Sequence, residues 1–252
     1  MRPRVQRRTL VQGGLGLVSG ALLGGAPDSL DIFATSRAPE QAPEPSPVPD
    51  PPPPPAELAY GMGGEAVWAL QDQLNASGYW CGAPDGGFGH LTQQAVFAVQ
   101  KAHGLQRDGI VGPATEAALA TGDRPAPAAG GDHVEVHVGP QLILVVRGGA
   151  TRMILNTSTG NGQPYDWYGQ TLSAVTPPGS FSVFNTYSPG WQPGPLGDLY
   201  RPQYFNGGIA VHGSEYIPPW ADSHGCARVS VAAMDMFWET GTMTMDTPVT
   251  VV

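Results

Sequence analysis

The chain has 252 residues, with 12 lysines and arginines against 21 aspartates and glutamates, a net charge of -9. With Lys101 as the single lysine, no basic stripe is left to track a phosphate backbone, which argues against nucleic acid as a partner. The length allows two cores, and the 35 glycines and 27 prolines are clustered rather than spread evenly.

In chain order, residues 1–36 read as an export signal. Arg2, Arg4, Arg7 and Arg8 precede an apolar run from Leu10 to Leu23, which ends in small residues and Pro27. The run is shorter than the roughly 20 apolar residues that span a bilayer. Arg7-Arg8 with Thr9-Leu10-Val11 is similar to a twin-arginine signal, and the general secretory route stays open beside it. Left uncleaved, the segment would serve as a membrane anchor. Residues 37–59 form a proline-rich linker: ten of the eighteen residues from 38 to 55 are proline. As polyproline II at ~3.1 Å per residue, this stretch would reach roughly 55 Å.

Between residues 60 and 121 the prolines thin out and helical spacing begins. Val67, Leu70 and Leu74 share one face, and Gly78 stands where the first helix stops. The segments DGGFGHLT (Asp85–Thr92) and DGIVGPAT (Asp108–Thr115) both fit D-G-x-x-G-x-x-T and each leads into an alanine-rich stretch, an internal repeat that predicts two further helices. Pro113 suits a first helical position because its missing N–H has no partner there. With Leu70-Gln71, Gly78-Tyr79, Phe88-Gly89, Ala95-Val96, Gly104-Leu105 and Gly112-Pro113, this all-α three-helix module resembles a peptidoglycan-binding domain of the first type. Val99 stands where that pattern has a phenylalanine. The resemblance implies attachment to cell wall.

Residues 132–252 read as a mostly-β domain. In DHVEVHV, Val134, Val136 and Val138 alternate with His133, Glu135 and His137, so the valines are expected to face a core and the polar set to face solvent. His133 and His137 are also weighed as a metal pair and fall short, since zinc sites need three or four ligands. The runs LILVV, MILNTSTG, TPPGSFSVF, IAVHGS and TPVTVV complete a set of short strands. Gln163 to Asn206 reads as long loops rich in proline, glycine and aromatic residues, most of the aromatics packing on the sheet.

Two cysteines are present, Cys81 and Cys226. A disulfide between them would join two domains, which export permits but nothing else requires. A metal site from His212, His224 and Cys226 is awkward, because His224 and Cys226 are only two residues apart. The nucleophile reading accounts for more residues. A thiol near pKa ~8.5 needs a base beside it. His212 accepts its proton and later protonates the leaving amine. The Gly213 carbonyl is placed to hold the second ring nitrogen. Ser223 lies in the same loop, His224 is a structural hydrogen-bonder, and amides around Gly225 and Cys226 receive an oxyanion. Arg228 either meets a substrate carboxylate or braces the loop.

IAVHGS followed by SHGCARV, with TPPG from Thr176 to Gly179, resembles the L,D-transpeptidase catalytic domain. Only ten residues separate His212 from Ser223, so the loop EYIPPWAD must be compact, and Trp220 is placed at the cleft's edge. The resemblance implies a multidomain chain, a small helical wall-binding module followed by a mostly-β enzyme. Cys226 would attack the amide after the third residue of a stem tetrapeptide, D-alanine would leave, and an amine from a neighbouring stem would close a 3-3 cross-link. No cofactor and no metal are implied, and the expected partner is peptidoglycan in the cell wall. Two alternatives stay open. One is an L,D-carboxypeptidase using water as acceptor; the other is a non-catalytic wall-binding protein. A papain-like protease is disfavoured because here the histidine precedes the cysteine.

Overall fold

Helical spacing and turn chemistry build the first part of the structure: α1 (Glu65–Ala76), α2 (His90–Ala102) and α3 (Pro113–Thr121). A computed structural model describes residues 57–252, so the export segment and most of the proline-rich linker lie outside the described residues. Among the described residues, no helix is long and apolar enough to cross a membrane.

The repeated motif closes on a buried glutamine each time. The Gln71 side-chain amide donates to Asp85 Oδ1 at 2.8 Å, to Gly87 O and to Thr92 Oγ1, while its oxygen accepts from the Asp85 and Gly86 amides. Gln100 repeats the pattern on Asp108 Oδ1, Ile110 O and Thr115 Oγ1, and accepts from Gly109 N. The aspartate and threonine of each copy are thus the ends of a polar clamp, which leaves no buried amide of the turn unpaired. Val99 is fully buried, so the smaller residue still serves the core.

Two sheets follow. The first has the order β3 (Ala150–Asn156), β2 (Leu142–Arg147), β1 (His133–His137), β12 (Pro248–Val251), β6 (Gly179–Ser182); β1 and β12 are parallel. The second runs β11 (Ala227–Ser230), β10 (Ile209–Ser214), β9 (Leu199–Asn206), β7 (Asn185–Thr186), with β8 (Trp191–Gln192) also on β9 and with β10 and β11 parallel. Pro164–Trp167 (β4) and Gln170–Ser173 (β5) form a separate hairpin. Val134, Val136, Ile143 and Val145 of the first sheet meet Val211, Ala227 and Val229 of the second, together with Met234 and Phe237 of α4 (Val231–Thr240).

Three expectations need correction. The polar face of β1 is not solvated: His133 and Glu135 are buried and His137 half-buried. Both imidazoles donate from Nε2 to the Glu135 carboxylate at 2.6 Å, and the Ala128 and Ala129 amides of the inter-domain segment donate to it as well. Burial alone would raise the Glu135 pKa, yet these donors hold the carboxyl below its ordinary value. The side chains that a solvated strand would expose instead fasten the preceding segment to the sheet. Secondly, the stretch from Gln163 to Asn206 is not only loop; it contains β9, whose eight residues make it the longest strand. Pro202 hides β9 from a pattern reading, because proline cannot donate to a ladder and is found at bulges. A bulge is present: Val211 pairs with Gln203 but Gly213 with Tyr200, and Arg201 takes φ 48°. Finally, the set of short strands read in this mostly-β half omits one element, α4. Ser230 caps it by accepting from Ala233 N, and Gly241 ends it at φ 63°.

The helices do not form a core of their own. Val67, Leu74, Tyr79 and Val96 pack with Leu142, Leu144, Val146 and Ile154 on the outer face of the first sheet as one apolar cluster. Helical module and β domain therefore share buried surface.

Candidate active site

Parallel pairing of β10 with β11 aligns Val211 with Ala227 and His212 with Arg228, and Cys226 directly precedes β11. Side chains alternate along a strand, so Cys226, Arg228 and His212 project from one face. All three line a cavity of about 580 Å³, with Asp198, Tyr204, Gly208 and Tyr216 among the other walls.

Each of the three is held by its surroundings. His212 lies opposite the β9 bulge, the device by which a strand re-aims one side chain. Its Nδ1 lies 2.8 Å from the Gly213 carbonyl, which only accepts, so Nδ1 carries the proton and Nε2 is the basic nitrogen of the neutral ring. Gly213 is fixed by close packing: a Cβ there would lie 2.9 Å from Tyr200 Cδ1 and 3.2 Å from Val231 Cα. Burial pushes the His212 pKa down to about 4, against the pull of the Gly213 carbonyl and with a further lowering from Arg228. The ring is a neutral base at ordinary pH.

The Cys226 thiol is partly exposed at the cavity wall. Its sulfur accepts from Ala210 N at 3.4 Å and its hydrogen points to Gly208 O at 3.6 Å. Burial raises its pKa, while the Ala210 amide and the Arg228 guanidinium work in the opposite direction. Thiol and imidazole are therefore both neutral at rest. Both cysteines are free, which rules out the disulfide. Among the described residues, no cluster of three or more His, Cys, Asp or Glu side chains is placed to hold a metal.

The loop before Cys226 is tied down residue by residue. Ser223 Oγ donates to the Cys226 carbonyl at 2.6 Å and accepts from Gly225 N at 3.0 Å. Gly225 N–H is consequently spent within the loop, and of the two amides proposed for an oxyanion only that of Cys226 remains. Thr176 Oγ1 donates to Gly225 O at 2.6 Å and accepts from Gly160 N, so the TPPG segment braces the turn. Gly225 adopts φ 150°, and a Cβ would meet Val175 O at 2.9 Å. His224 is exposed and lies edge-on to Tyr165, with ring centroids 4.9 Å apart; it lines the cavity and takes no part in the hydrogen bonds expected of it. Arg228 is half-buried against Asp222 at 3.3 Å and still faces the cavity, so bracing and access to substrate coexist. Tyr216, not Trp220, stands at the cleft's edge. Asp222 and Gly208 escape a sequence reading because their partners are set by strand pairing, not by local spacing.

A crystal structure of an L,D-transpeptidase from Xylanimonas cellulosilytica matches with a TM-score of 0.76 and 45% identity, covering 80% of this chain and 100% of that one. The chain belongs to the L,D-transpeptidase family. The L,D-transpeptidase catalytic domain model matches residues 131–251 and a peptidoglycan binding domain model matches residues 63–119. The N-acetylmuramoyl-L-alanine amidase CwlL of Bacillus licheniformis is 50% identical over 66 residues, 25% of this chain and 18% of that protein. The chain spans about a fifth of the length of the curated relatives it matches. What this L,D-transpeptidase shares with those amidases is thus a segment and not a whole enzyme.

Proposed function

We propose that the chain is a peptidoglycan L,D-transpeptidase acting in the cell wall after export, with Cys226 as nucleophile and His212 as base and acid. Rotation of the thiol from Gly208 O turns its hydrogen toward His212 Nε2. The sulfur attacks the carbonyl after the third stem residue as Nε2 takes the proton, and the Cys226 amide receives the developing oxyanion. The C–N bond breaks, the imidazolium protonates the departing amine, and D-alanine leaves behind a thioester. An acceptor amine then attacks the thioester, gives a proton to His212 and releases the thiol, so a 3-3 cross-link forms with no net redox change. Arg228 supplies a cation for a substrate carboxylate, and its charge favours thiolate over imidazolium.

The observation that carries this reading is the fixed tautomer. Nδ1 is committed to the Gly213 carbonyl, which leaves Nε2 as base in the same cavity as the sulfur. Incubation of the purified chain with disaccharide tetrapeptides and mass spectrometry of the products tests it. Dimers with loss of one D-alanine are expected. Trimmed tripeptides alone would mean that water is the acceptor and the chain is an L,D-carboxypeptidase. No product, together with no acyl adduct from a carbapenem, would leave a non-catalytic wall-binding protein.

A further inference from the structure

The loop from Glu215 to Asp222, which joins the histidine strand to the cysteine turn, is held by the helical module. Gln94 of α2 donates from Nε2 to Ile217 O at 3.2 Å, and Arg107, just beyond α2, donates to Pro219 O at 3.0 Å. Asn156, the last residue of β3, donates from Nδ2 to both Gln94 Oε1 (2.5 Å) and Ile217 O (3.4 Å). Its other amide atom, Oδ1, accepts from Lys101 Nζ. An asparagine amide whose oxygen accepts from the lysine nitrogen must turn its NH₂ the other way, so Lys101 decides that Asn156 presents donors to the loop.

Lys101 is 4% exposed and completes its pairing on Gln141 O at 2.9 Å and Thr157 O at 3.0 Å. Three oxygens surround three N–H bonds. Burial, and after it the Arg107 guanidinium, work against the charge and pull its pKa to about 6, so the side chain is held by this set of acceptors rather than by its charge. From Thr157 onward the segment is hydrogen-bonded to the loop and the cysteine turn: Ser158 Oγ donates to Trp220 O at 2.8 Å, the Asp222 and Ser223 amides both donate to Thr159 O, and Arg228 N donates to Ser158 O. Lys101 thus grips the segment that carries the loop on one side and Cys226 on the other.

We propose that α2 and the turn after it belong to the catalytic apparatus, with Lys101 as a positioning residue that acts through Asn156 and Thr157, assisted by Gln94 and Arg107, to set the path of the 215–222 loop and the placement of Cys226. The module is then more than a tether that concentrates substrate. This inference rests on the transpeptidase reading for its kinetic consequence but not for its structural one.

The test uses the full chain with Lys101→Met, Arg107→Ala and Arg107→Lys, at temperatures well below each unfolding midpoint. Two quantities are read: amide hydrogen exchange over residues 215–226 relative to the β1–β2 core, and the second-order rate of carbapenem acylation at Cys226. Lys101→Met is expected to speed loop exchange at least tenfold with the core unchanged and to slow acylation on the order of tenfold, since small misplacements of reacting groups carry large rate costs. Arg107→Ala should change both by about threefold and Arg107→Lys should restore them. If Lys101→Met fails to fold, the Arg107 pair decides. Folded variants with wild-type exchange and wild-type acylation overturn the proposal, as does an acylation loss that only follows the unfolded fraction. A wild-type chain that takes no acyl group sinks the transpeptidase reading, while the exchange measurement still judges the loop contacts.

Discussion

Cys81 and Cys226 are the same chemical group in two settings. Cys81 is buried and Cys226 is partly exposed at a cavity wall, yet burial raises both pKa values, that of Cys81 to about 11. Cys81 is 2% exposed; its thiol gives its hydrogen to Gln71 O at 3.4 Å, while its backbone amide donates to Asn75 Oδ1. No imidazole is among these partners. Cys226 lines a cavity beside a neutral imidazole and a guanidinium. Desolvation alone therefore makes a thiol inert; a base of fixed tautomer and room for a substrate make it useful.

The sharpest way to break the comparison is to delete each sulfur. Cys226→Ala should abolish the acyl adduct with a carbapenem and all cross-linked product, whereas Cys81→Ala should keep the acylation rate within about twofold, being a substitution away from the reacting atoms. Intact mass after brief treatment with iodoacetamide checks the same contrast in the unmodified chain. One label is expected on the folded protein, at Cys226, and a second only after denaturation. Labelling of Cys81 in the folded state would show that the buried setting is not sealed.

Next in size is the base. His212→Gln keeps a polar side chain of similar reach but offers no nitrogen able to take the thiol proton. It should lower the acylation rate by about 10²–10⁴ while the unfolding midpoint at neutral pH stays near wild type. Stopped-flow acylation measures the first and a thermal melt the second. A loss below tenfold would mean that another group accepts the proton.

Much of this contrast is legible in the sequence, and the part that is not has a common cause. Turns and caps are local, so Gly78, Pro113 and both D-G-x-x-G-x-x-T copies mark the helical module without a structure. H-G and S-H-G-C likewise place His212 and Cys226, because the needed neighbour, Gly213 O, is one residue away. What pattern reading misses is set by distant partners. His133, Glu135 and His137 have the periodicity of a solvated face, yet the segment through Ala128 covers them. Gly225 N is an open donor on paper and is taken by Ser223 Oγ in space. Pro202 argues against a strand until the bulge opposite His212 explains it. Nothing in the local sequence marks Lys101 as buried; the packing of α2 on β3 buries it.

The same histidine should leave a signature on acid stability. Unfolded, its ring takes a proton near pH ~6.5; folded, only near about 4. Between these values the unfolded chain binds the extra proton, so stability is fully present above pH ~6.5 and falls as pH drops toward 4, with no further loss from this group below that. The whole effect is about 3 kcal/mol. Unfolding midpoints for wild type and His212→Gln should lie close together at pH 7 and diverge toward pH 4, where the variant, lacking this slope, is the more stable. Parallel curves would place the ring in contact with solvent. Acylation by the folded protein should lose rate only as the pH approaches about 4, where His212 takes a proton and ceases to be a base.

The smallest expected effect concerns Cys81 as a packing residue. Cys81 belongs to the shared apolar cluster that also holds Leu74, Phe88 and Ala95, and its weak hydrogen bond to Gln71 O ends at the residue that clamps the first repeat turn. Cys81→Ala removes one heavy atom and leaves a void smaller than a water, a loss of about 1 kcal/mol and a fall in midpoint of roughly 2–4 °C for a unit of this size. Cys81→Ser keeps the size but places a strong hydroxyl donor where the nearby acceptors are Gln71 O at 3.4 Å, already shared by the helix, and Gly82 O at 3.9 Å, and should cost more than alanine. Denaturant midpoints of the two variants order them. If serine proves the milder change, the site is wetter than its packing indicates, and the contrast with Cys226 narrows to the imidazole alone.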